Sequence, residues 1–414
     1  MTSDRTFIIV GAGLAGAKAA ETLRSEGFDG RVIMIGAEQQ RPYERPPLSK
    51  AYLRGEAERD ALYVHDDGFY TANNVELRLG RTAVHLDTSI RQVALDDGTW
   101  LRYDRLLLST GAEPRRLAVP GEALDGVFYL RSVEDSDAVR ERLDRGGSVV
   151  VIGGGWIGTE VAASARQRGL EVTIVDPHSV PLERVLGTEV GSIYRDIHGD
   201  HGVRMLMGTR LAGFRGATAV ERVRTDDGRE LECDFVVIGV GVEPRTTLAA
   251  RSGLYVDDGI VVDEHLQTSM PDVFAAGDVA MTHYPSFGHR LRVEHWANAL
   301  HQGPIAARNM LGGSDVYDRV PYFFSDQYEV GMEYAGFAGT WDRVVFRGDP
   351  ATREFIVFWL AGDRVMAGMN VGVWDVSEPI QQLIRGRVSI DDRRLADPDV
   401  PLEQLALIAD PSAA

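Results

Sequence analysis

Hydrophobic and polar positions follow one another in blocks, and the first blocks predict a strand, a helix and a second strand. Residues 6–10 (TFIIV) form a short β-branched run, and the Ala-rich stretch after it carries apolar positions at helical spacing up to Gly27. A second apolar run begins at Arg31. This order of elements requires a parallel pair of strands joined by a right-handed crossover.

The same pattern occurs again in the middle of the chain. Residues 148–176 read SVVVIGGGWIGTEVAASARQRGLEVTIVD, and the helical stretch ends at Gly169. Each copy has a later partner that runs from Asp through a hydrophobic strand into G-x-x-P-R: DRLLLSTGAEPRRLA at 104–118 and DFVVIGVGVEPRTTLA at 234–249. These repeats predict two similar α/β domains, the second inserted into the first.

The remaining pattern predicts hairpins and a third domain. DDG turns at 96–98 and 226–228 lie between strand-like runs, and aromatic residues with short β runs dominate from about Pro321. We therefore predict an α/β fold with two Rossmann-like dinucleotide-binding domains, one inserted in the other, and a C-terminal α+β domain. The predicted bounds are 1–114 and 248–320 for the first domain, 115–247 for the second and 321–414 for the third.

Composition narrows the function classes. The chain has 414 residues and a net charge of −18, which argues against binding nucleic acid or an anionic membrane by bulk electrostatics. Its one cysteine, Cys233, excludes an intramolecular disulfide, a CxxC redox pair and a Cys-rich metal site, and suits a reducing cytoplasm. The longest apolar-plus-Gly run, Phe7–Ala17, is shorter than the about 18 residues that span a bilayer. The histidines show no HxxxH or HExxH pattern, so we predict no metal.

Two glycine loops carry the candidate chemistry. Each has the spacing G-x-G-x-x-G between a strand and a helix, which lets the backbone approach a pyrophosphate at a helix N-terminus. Each also has an acid at the end of the next strand, suited to a ribose hydroxyl. The residues are Gly11, Gly13, Gly16 and Glu38 in the first copy, and Gly153, Gly155, Gly158 and Asp176 in the second.

Two dinucleotide sites in one chain indicate a redox relay. One nucleotide is expected to be a bound prosthetic group and the other a diffusing cosubstrate, and FAD with NADH is the natural pair. We favour NADH over NADPH because Asp176 would repel a 2′-phosphate and no Arg follows it directly, although Arg184 lies further on.

Two further segments are candidates for the redox site. In ERPPLSK (44–50), two prolines stiffen the chain and would hold Lys50 at a fixed place; a solvated lysine in a surface loop is the alternative. In VFAAGDVA (273–280), the pattern predicts Asp278 at a strand end beside the N-terminus of a following helix, with an ordinary turn aspartate as the alternative.

These pieces resemble a known family. VGAGLAG (10–16), RPPLSK (45–50), VVIGGGWIGTEVAA (150–163), AAGDVA (275–280) and SDQYE (325–329) are similar to segments of the FAD- and NADH-dependent ferredoxin reductases that feed bacterial oxygenases, relatives of glutathione reductase and apoptosis-inducing factor. The resemblance spans residues 10 to about 330.

The resemblance implies a role for each matched position. Lys50 would lie against the isoalloxazine N5 and form an ion pair with Glu160. Two departures from the family pattern are Ala37, where many relatives have aspartate, and Phe324, where many have tryptophan. The FAD contacts it implies are Gly11, Gly13, Ala15 and Gly16 at the pyrophosphate, Glu38 at the ribose, Val84 near the adenine, Arg131, Asp278 at the ribitol, and Trp296 near the pyrimidine edge. His295 precedes Trp296 directly, and its role stays open.

The function that the resemblance implies is transfer of a hydride from NADH to FAD and of single electrons to an iron–sulfur ferredoxin, which serves a monooxygenase or dioxygenase. Absence of a second cysteine excludes a dithiol between flavin and acceptor, and Cys233 is expected to be a small, partly buried residue.

Two alternative functions stay open: reduction of a small molecule such as oxygen or a quinone, and a redox-responsive interaction protein like the apoptosis-inducing-factor relatives. Monomer and dimer both stay open.

Overall fold

A computed structural model describes residues 4–387 and 389–407. Contacts within the chain divide it into two compact units. The first comprises residues 1–44, 59–113 and 242–321, and the second comprises residues 45–58, 114–241 and 322–414. The four domain bounds expected from the repeats stay a prediction.

The first unit is built on a parallel sheet of five strands. Its central strands are almost wholly apolar and buried, as expected for a parallel sheet covered on both faces. In order across the sheet the strands are Val273–Ala275, Arg105–Leu108, Thr6–Val10, Arg31–Gly36 and Val75–Leu79.

Two helices of the first unit pack closely beside this sheet. They are Leu14–Ser25 and Trp296–Met310. Gly303 permits the close approach, because a Cβ there would overlap with the carbonyl oxygen of Ala15. The remaining elements of the unit are the short helices Arg59–Leu62, Phe69–Ala72 and Thr247–Arg251, the antiparallel sheet Ala83–Asp87/Gln92–Leu95/Trp100–Arg102, and the strand Val242–Pro244, which pairs with Ala112–Pro114. A mixed sheet of three strands completes it, in which Ala280–Tyr284 pairs parallel with Ile260–Val262 and antiparallel with His289–Arg292.

The second unit repeats the same architecture. Its parallel sheet has the strands, in order, Arg204–Met207, Glu171–Asp176, Ser148–Ile152, Phe235–Ile238 and Val127–Tyr129. Its other elements in this part are the helices Pro46–Ser49, Ala51–Arg54, Val133–Arg145, Trp156–Gln167 and Glu183–Asp200, and the antiparallel sheet Leu211–Arg215/Arg222–Thr225/Glu230–Glu232.

The C-terminal part of the second unit is an antiparallel sheet with one short helix between two of its strands and further helices after it. The strand order is Tyr322–Gln327, Val330–Gly336, Arg364–Val371, Glu354–Ala361 and Arg343–Asp349. The helices are Pro350–Thr352, Ser377–Gly386, Asp392–Ala396 and Leu402–Leu407. This is the α+β character that the aromatic-rich sequence predicts.

The predicted repeats are confirmed at the level of strand pairing. Thr6–Val10 pairs parallel with Arg31–Gly36, and Ser148–Ile152 pairs parallel with Glu171–Asp176. The helix between each pair ends before a glycine with positive φ, +80° at Gly27 and +84° at Gly169, which a residue with a side chain rarely adopts. Both DDG sequences form hairpin turns of antiparallel sheets, as predicted.

Candidate functional site

The first glycine loop is tightly packed on one side and open on the other. Gly11 has φ +122°, and a Cβ there would overlap with the carbonyl oxygen of Ser109. A Cβ on Gly16 would likewise overlap with the carbonyl oxygen of Gly11. At Gly13, in contrast, no atom lies within 4 Å of the Cβ position. The loop therefore presents open space at the N-terminus of the helix Leu14–Ser25.

The second glycine loop has the same design. Gly153 has φ +105°, and its Cβ would overlap with the carbonyl oxygen of Gly239. A Cβ on Gly158 would overlap with the carbonyl oxygen of Gly153. Gly155, like Gly13 of the first loop, has no atom within 4 Å of its Cβ position.

The helices that follow these loops are suited to bind phosphate. Their N-caps are Gly13 and Gly155, neither makes a side-chain capping bond, and neither helix has an acid in its first turn. The helix Val133–Arg145 is the opposite case, since Ser132 and Asp135 form a capping box. N–H groups that no side chain caps, at the positive end of a helix and facing open space, fit the pyrophosphate of a dinucleotide.

The acid predicted for the second loop is hydrogen-bonded to it, and the acid predicted for the first loop follows the strand Arg31–Gly36. Asp176 Oδ2 accepts a hydrogen bond of 2.6 Å from the backbone N–H of Gly154, within the second loop. Its Oδ1 lies 2.7 Å from Nδ1 of His178 and accepts the His178 backbone N–H at 2.8 Å. In the first unit, Glu38 is half-buried and accepts a hydrogen bond from the Tyr43 hydroxyl. The His178 contact was missed by sequence reasoning, which considered only arginine there.

Asp278 lies at the same edge of the first unit's sheet, but its predicted setting is wrong. A strand, Ala280–Tyr284, follows it, not a helix. The preceding Gly277 donates its N–H to Gln302 at 2.8 Å, and a Cβ there would lie 3.3 Å from that of Ala15. The turn therefore sits against the first turn of the helix Leu14–Ser25, because the carboxyl ends of parallel strands meet at one edge.

Two further residues of the first unit, Trp296 and Val84, are predicted FAD contacts, and His295 directly precedes Trp296. Trp296 begins the helix Trp296–Met310, and its indole N–H donates to the Glu44 carboxylate. Burial raises the pKa of Glu44, against the opposing effect of that hydrogen bond. His295 is the helix N-cap, and burial lowers its pKa to about 4, so the imidazole is neutral at pH 7. Val84 is 49% exposed on the strand Ala83–Asp87.

The second unit contains the ion pair that the family resemblance implies. Lys50 Nζ lies 2.7 Å from Oε1 of Glu160, and the side chains are only 12% and 5% exposed. Two hydroxyls also donate to this carboxylate: Ser49 Oγ to Oε2 at 2.5 Å and Ser325 Oγ to Oε1 at 2.7 Å. Lys50 is thus a buried, paired cation, and the solvated-lysine alternative is wrong. Ser49 and Ser325 fall inside motifs that the sequence singled out, RPPLSK and SDQYE, but their contact was not foreseen.

The segment that carries Lys50 is fixed by buried hydrogen bonds. Ser136 Oγ donates to the carbonyl of Leu48 at 2.8 Å, and Ser164 Oγ donates to the carbonyl of Ser49 at 2.7 Å. The residues Pro46–Ser49 form a short 3-10 helix, which the two prolines favour. The backbone around Lys50 is therefore held by two helices of the second unit.

Two other predicted residues lie near this segment in the second unit. The ring centroid of Phe324 is 5.9 Å from Lys50 Nζ, within the range of a cation–π contact. The half-buried Arg131 lies just before the helix Val133–Arg145, and its carbonyl accepts a hydrogen bond from Arg45.

Cys233 is a free, buried cysteine, and the described residues contain no cluster of metal-ligating side chains. Cys233 is buried beyond the partial burial expected, and burial raises the pKa of its thiol to about 12. Over residues 4–387 and 389–407, no group of three or more His, Cys, Asp or Glu side chains could hold a metal ion. In the same residues no helix is both long enough and apolar enough to cross a membrane.

Comparison with known proteins identifies the family. The sequence profile described as pyridine nucleotide-disulphide oxidoreductase matches residues 5–303, and the profile described as reductase C-terminal matches residues 322–406. The chain belongs to the pyridine nucleotide-disulphide oxidoreductase family. It has a single cysteine and hence no internal disulfide of its own.

Individual relatives are similar over almost their whole length. Putidaredoxin reductase CamA of Pseudomonas putida is 38% identical over 99% of this chain and 98% of its own. The ferredoxin–NAD(+) reductase component of the anthranilate 1,2-dioxygenase system of Burkholderia cepacia is 40% identical over 97% and 99%. Among solved structures, the covalent putidaredoxin reductase–putidaredoxin complex superposes with a TM-score of 0.93 at 37% identity, covering 99% of both chains.

Proposed function

We propose that this protein is a flavin-dependent NADH:ferredoxin reductase, which passes electrons from NADH to an iron–sulfur ferredoxin of an oxygenase system. The observation that carries the proposal is the pair of open glycine loops, each at the N-terminus of a helix with no side-chain cap, with Asp176 hydrogen-bonded to the second loop. One chain with two dinucleotide sites is built for a relay between two nucleotides.

The first loop is the FAD site. Gly11, Gly13, Ala15 and Gly16 hold the pyrophosphate there, and Glu38 holds the ribose. When bound, FAD supplies the relay chemistry, since it accepts two electrons as a hydride and releases them one at a time. The remaining contacts proposed for it are Val84, Arg131, Asp278 and Trp296.

The second loop is the NADH site. Gly153, Gly155 and Gly158 let the backbone approach the pyrophosphate, and the Asp176 carboxylate accepts hydrogen bonds from the ribose hydroxyls. The Gly154 N–H and His178 fix this carboxylate in place. Its negative charge disfavours the 2′-phosphate of NADPH. Binding and orientation of NADH are the chain's main contribution to hydride transfer, because no general base is required.

The Lys50–Glu160 pair tunes the redox site. An ammonium placed beside the flavin ring would favour its reduced, negatively charged form, and Glu160 holds that ammonium. Both roles are proposals that rest on the buried ion pair and on the match of RPPLSK to the family.

The acceptor is a small iron–sulfur protein. Relatives similar over their full length are named for putidaredoxin and for dioxygenase systems, and one solved relative is a complex with putidaredoxin. A native thiol relay is absent, because the only cysteine is buried with a raised pKa. We propose a cytoplasmic location, because the cytoplasm is reducing and so suits both a chain without disulfides and a reduced pyridine nucleotide.

The test is the acceptor profile of NADH oxidation. Purified protein reconstituted with FAD should be yellow and should be bleached by NADH without oxygen, and a cognate ferredoxin should accelerate NADH oxidation far above the rate with oxygen or quinone alone. Equal rates with and without ferredoxin would favour a small-molecule reductase. Slow turnover together with a change of molecular mass on adding NADH would favour a redox-responsive interaction protein.

A further inference from the structure

The Glu160 carboxylate receives hydrogen bonds from three side chains on two separate segments of the second unit. Lys50 and Ser49 belong to the segment 45–58, and Ser325 belongs to the first strand of the C-terminal sheet. Glu160 itself lies in the helix Trp156–Gln167 and is buried. A buried carboxylate that accepts from one ammonium and two hydroxyls is fixed in both position and rotation.

The direction of the Ser325 hydrogen bond is set by its neighbour Gln327. The Thr159 hydroxyl lies 3.0 Å from the carbonyls of Gly155 and Trp156, so its proton is directed to the backbone and its lone pairs accept from the Gln327 amide nitrogen at 3.1 Å. The same amide nitrogen donates to Ser325 Oγ at 3.3 Å. An amide nitrogen cannot accept, so the Ser325 proton is left for Glu160.

The orientation of Gln327 is fixed in turn from its other side. Its carbonyl oxygen lies 2.8 Å from Nε2 of His198, and Nδ1 of His198 lies 3.1 Å from the Tyr328 hydroxyl. Burial lowers the pKa of His198 to about 4, so at neutral pH the ring is uncharged, with Nε2–H donating and Nδ1 accepting. The result is a chain of donors, Tyr328 to His198 to Gln327 to Ser325, that points at Glu160.

We propose that Ser49 and Ser325 are positioning residues that hold the Glu160 carboxylate, and through it the Lys50 ammonium, in the orientation needed at the flavin. This inference rests on the proposed function. The physical need is clear, because a lysine has a flexible four-carbon stem and a single ion pair fixes it poorly. Two hydroxyl donors from different segments remove the rotational freedom of its partner. The C-terminal sheet thereby contributes to the position of the Lys50 ammonium through Ser325.

The composition of the chain offers a direct probe of Lys50. Only two lysines occur in the sequence, Lys18 and Lys50, against 44 basic residues in total. Lys18 pairs with Glu21 in the other unit and serves as an internal reference. Acylation with acetic anhydride, followed by mass spectrometry, therefore reports the availability of the Lys50 amine in the apoprotein and in the FAD-bound protein, independently of turnover.

We expect Ser49→Ala and Ser325→Ala each to raise the acylation rate of Lys50, relative to Lys18, by about fivefold, the factor of one ordinary hydrogen bond. In a Glu160→Gln background, the same substitutions should change the rate by less than about twofold, because the group that they hold no longer pairs with the ammonium. Ser325→Thr, which keeps the hydroxyl, should behave like the unsubstituted protein.

The matched control is Thr225→Val. Thr225 is also buried in the second unit, and its hydroxyl bonds a carboxylate, Asp227, at 2.6 Å. Its loss should leave Lys50 acylation unchanged. Effects of Ser49→Ala and Ser325→Ala that are equally large in the Glu160→Gln background, or equally large for Thr225→Val, would show a general loosening of the fold and would overturn the proposal.

The flavin potential gives the second readout. Ser325→Ala should shift the midpoint potential of the bound flavin in the same direction as Lys50→Met, and by less. Normal bleaching of the unsubstituted protein by NADH with no shift in Ser325→Ala would overturn the positioning role alone. Failure of the unsubstituted protein to bind FAD or to be bleached by NADH would instead overturn the proposed function.

Discussion

Lys50 and Glu160 form a buried ion pair, with Nζ 2.7 Å from Oε1, although the two residues lie far apart in the sequence. Removing one partner leaves the other charge buried without compensation, which costs about 3–5 kcal/mol in proteins. We therefore expect Lys50→Met to lower the free energy of unfolding of the apoprotein by about 3 kcal/mol.

The double variant Lys50→Met/Glu160→Met should recover most of that loss, because it removes both charges and keeps the volume filled. Urea denaturation followed by tryptophan fluorescence measures both variants. Equal destabilisation of the single and double variants would contradict an important role for the uncompensated charge.

The two kinds of glycine in the second loop should respond differently to substitution. Gly153→Ala places a Cβ against the Gly239 carbonyl at φ +105°, so we expect poor folding of this variant. Gly155→Ala meets no neighbour and should fold normally, but its methyl group occupies the space proposed for the pyrophosphate. Its KM for NADH should rise at least about tenfold, a penalty of 1.4 kcal/mol or more. Unchanged NADH kinetics in folded Gly155→Ala would contradict the proposed site.

Asp176 and His178 should control the choice of nucleotide. Asp176→Ala removes the acceptor for the ribose hydroxyls and the charge that repels a 2′-phosphate, so kcat/KM for NADH should fall and that for NADPH should rise. His178→Ala keeps the acid and loses only one of its donors, so we expect a smaller rise in KM for NADH, by about threefold. Steady-state kinetics with both nucleotides checks this, and unchanged discrimination in Asp176→Ala would refute it.

Lowering the pH should decrease the stability of the folded protein, because His198 binds a proton more readily in the unfolded state. Burial lowers its pKa to about 4, whereas an unfolded histidine titrates near 6.5, so the unfolded state binds more protons between these values. The free energy of unfolding should therefore fall as pH drops from about 6.5 to 4, and level off below. The full shift corresponds to about 3 kcal/mol.

Burial also lowers the pKa of His295 to about 4, so His295 contributes to the pH dependence of stability over the same pH range. The effect of His198 is therefore measured as the difference between a His198 variant and the unsubstituted protein. The pH slope of the free energy of unfolding between about pH 5 and 6 should be smaller in His198→Gln than in the unsubstituted protein, by about 1.2 kcal/mol per pH unit. Identical slopes would show that His198 is protonated in the folded state.

The Cys233 thiol should not react with thiol reagents in the native protein. Its thiol is buried and its pKa is raised to about 12 by that burial, so almost no thiolate forms at pH 8. An aromatic disulfide reagent should label no thiol in the folded protein and one in urea, and Cys233→Ala should keep full NADH-dependent ferredoxin reduction. Rapid labelling of native protein together with loss of activity would restore a thiol to the mechanism.

The local sequence pattern was sufficient to predict the two nucleotide loops. The spacing of Gly11 and Gly13, or of Gly153 and Gly155, between a β-branched run and an Ala-rich run has few solutions, because the crossover must be right-handed and the loop must turn sharply. Both parallel pairs and both hairpins follow from sequence alone. The expected helix after Asp278 fails because a short polar turn followed by β-branched residues also fits a strand, and neighbours on the sheet decide between the two.

By itself, the sequence determined the repeated α/β architecture, the two glycine loops, and the lone cysteine that rules out an internal dithiol. Only the tertiary structure decided which side chains meet: Ser49 and Ser325 at Glu160, and His178 at Asp176. The physical reason is the sequence separation over which each effect acts. Backbone geometry and hydrophobic periodicity depend on a few neighbouring residues and can be read from the local sequence, whereas a hydrogen bond between distant segments depends on the packing of the whole unit.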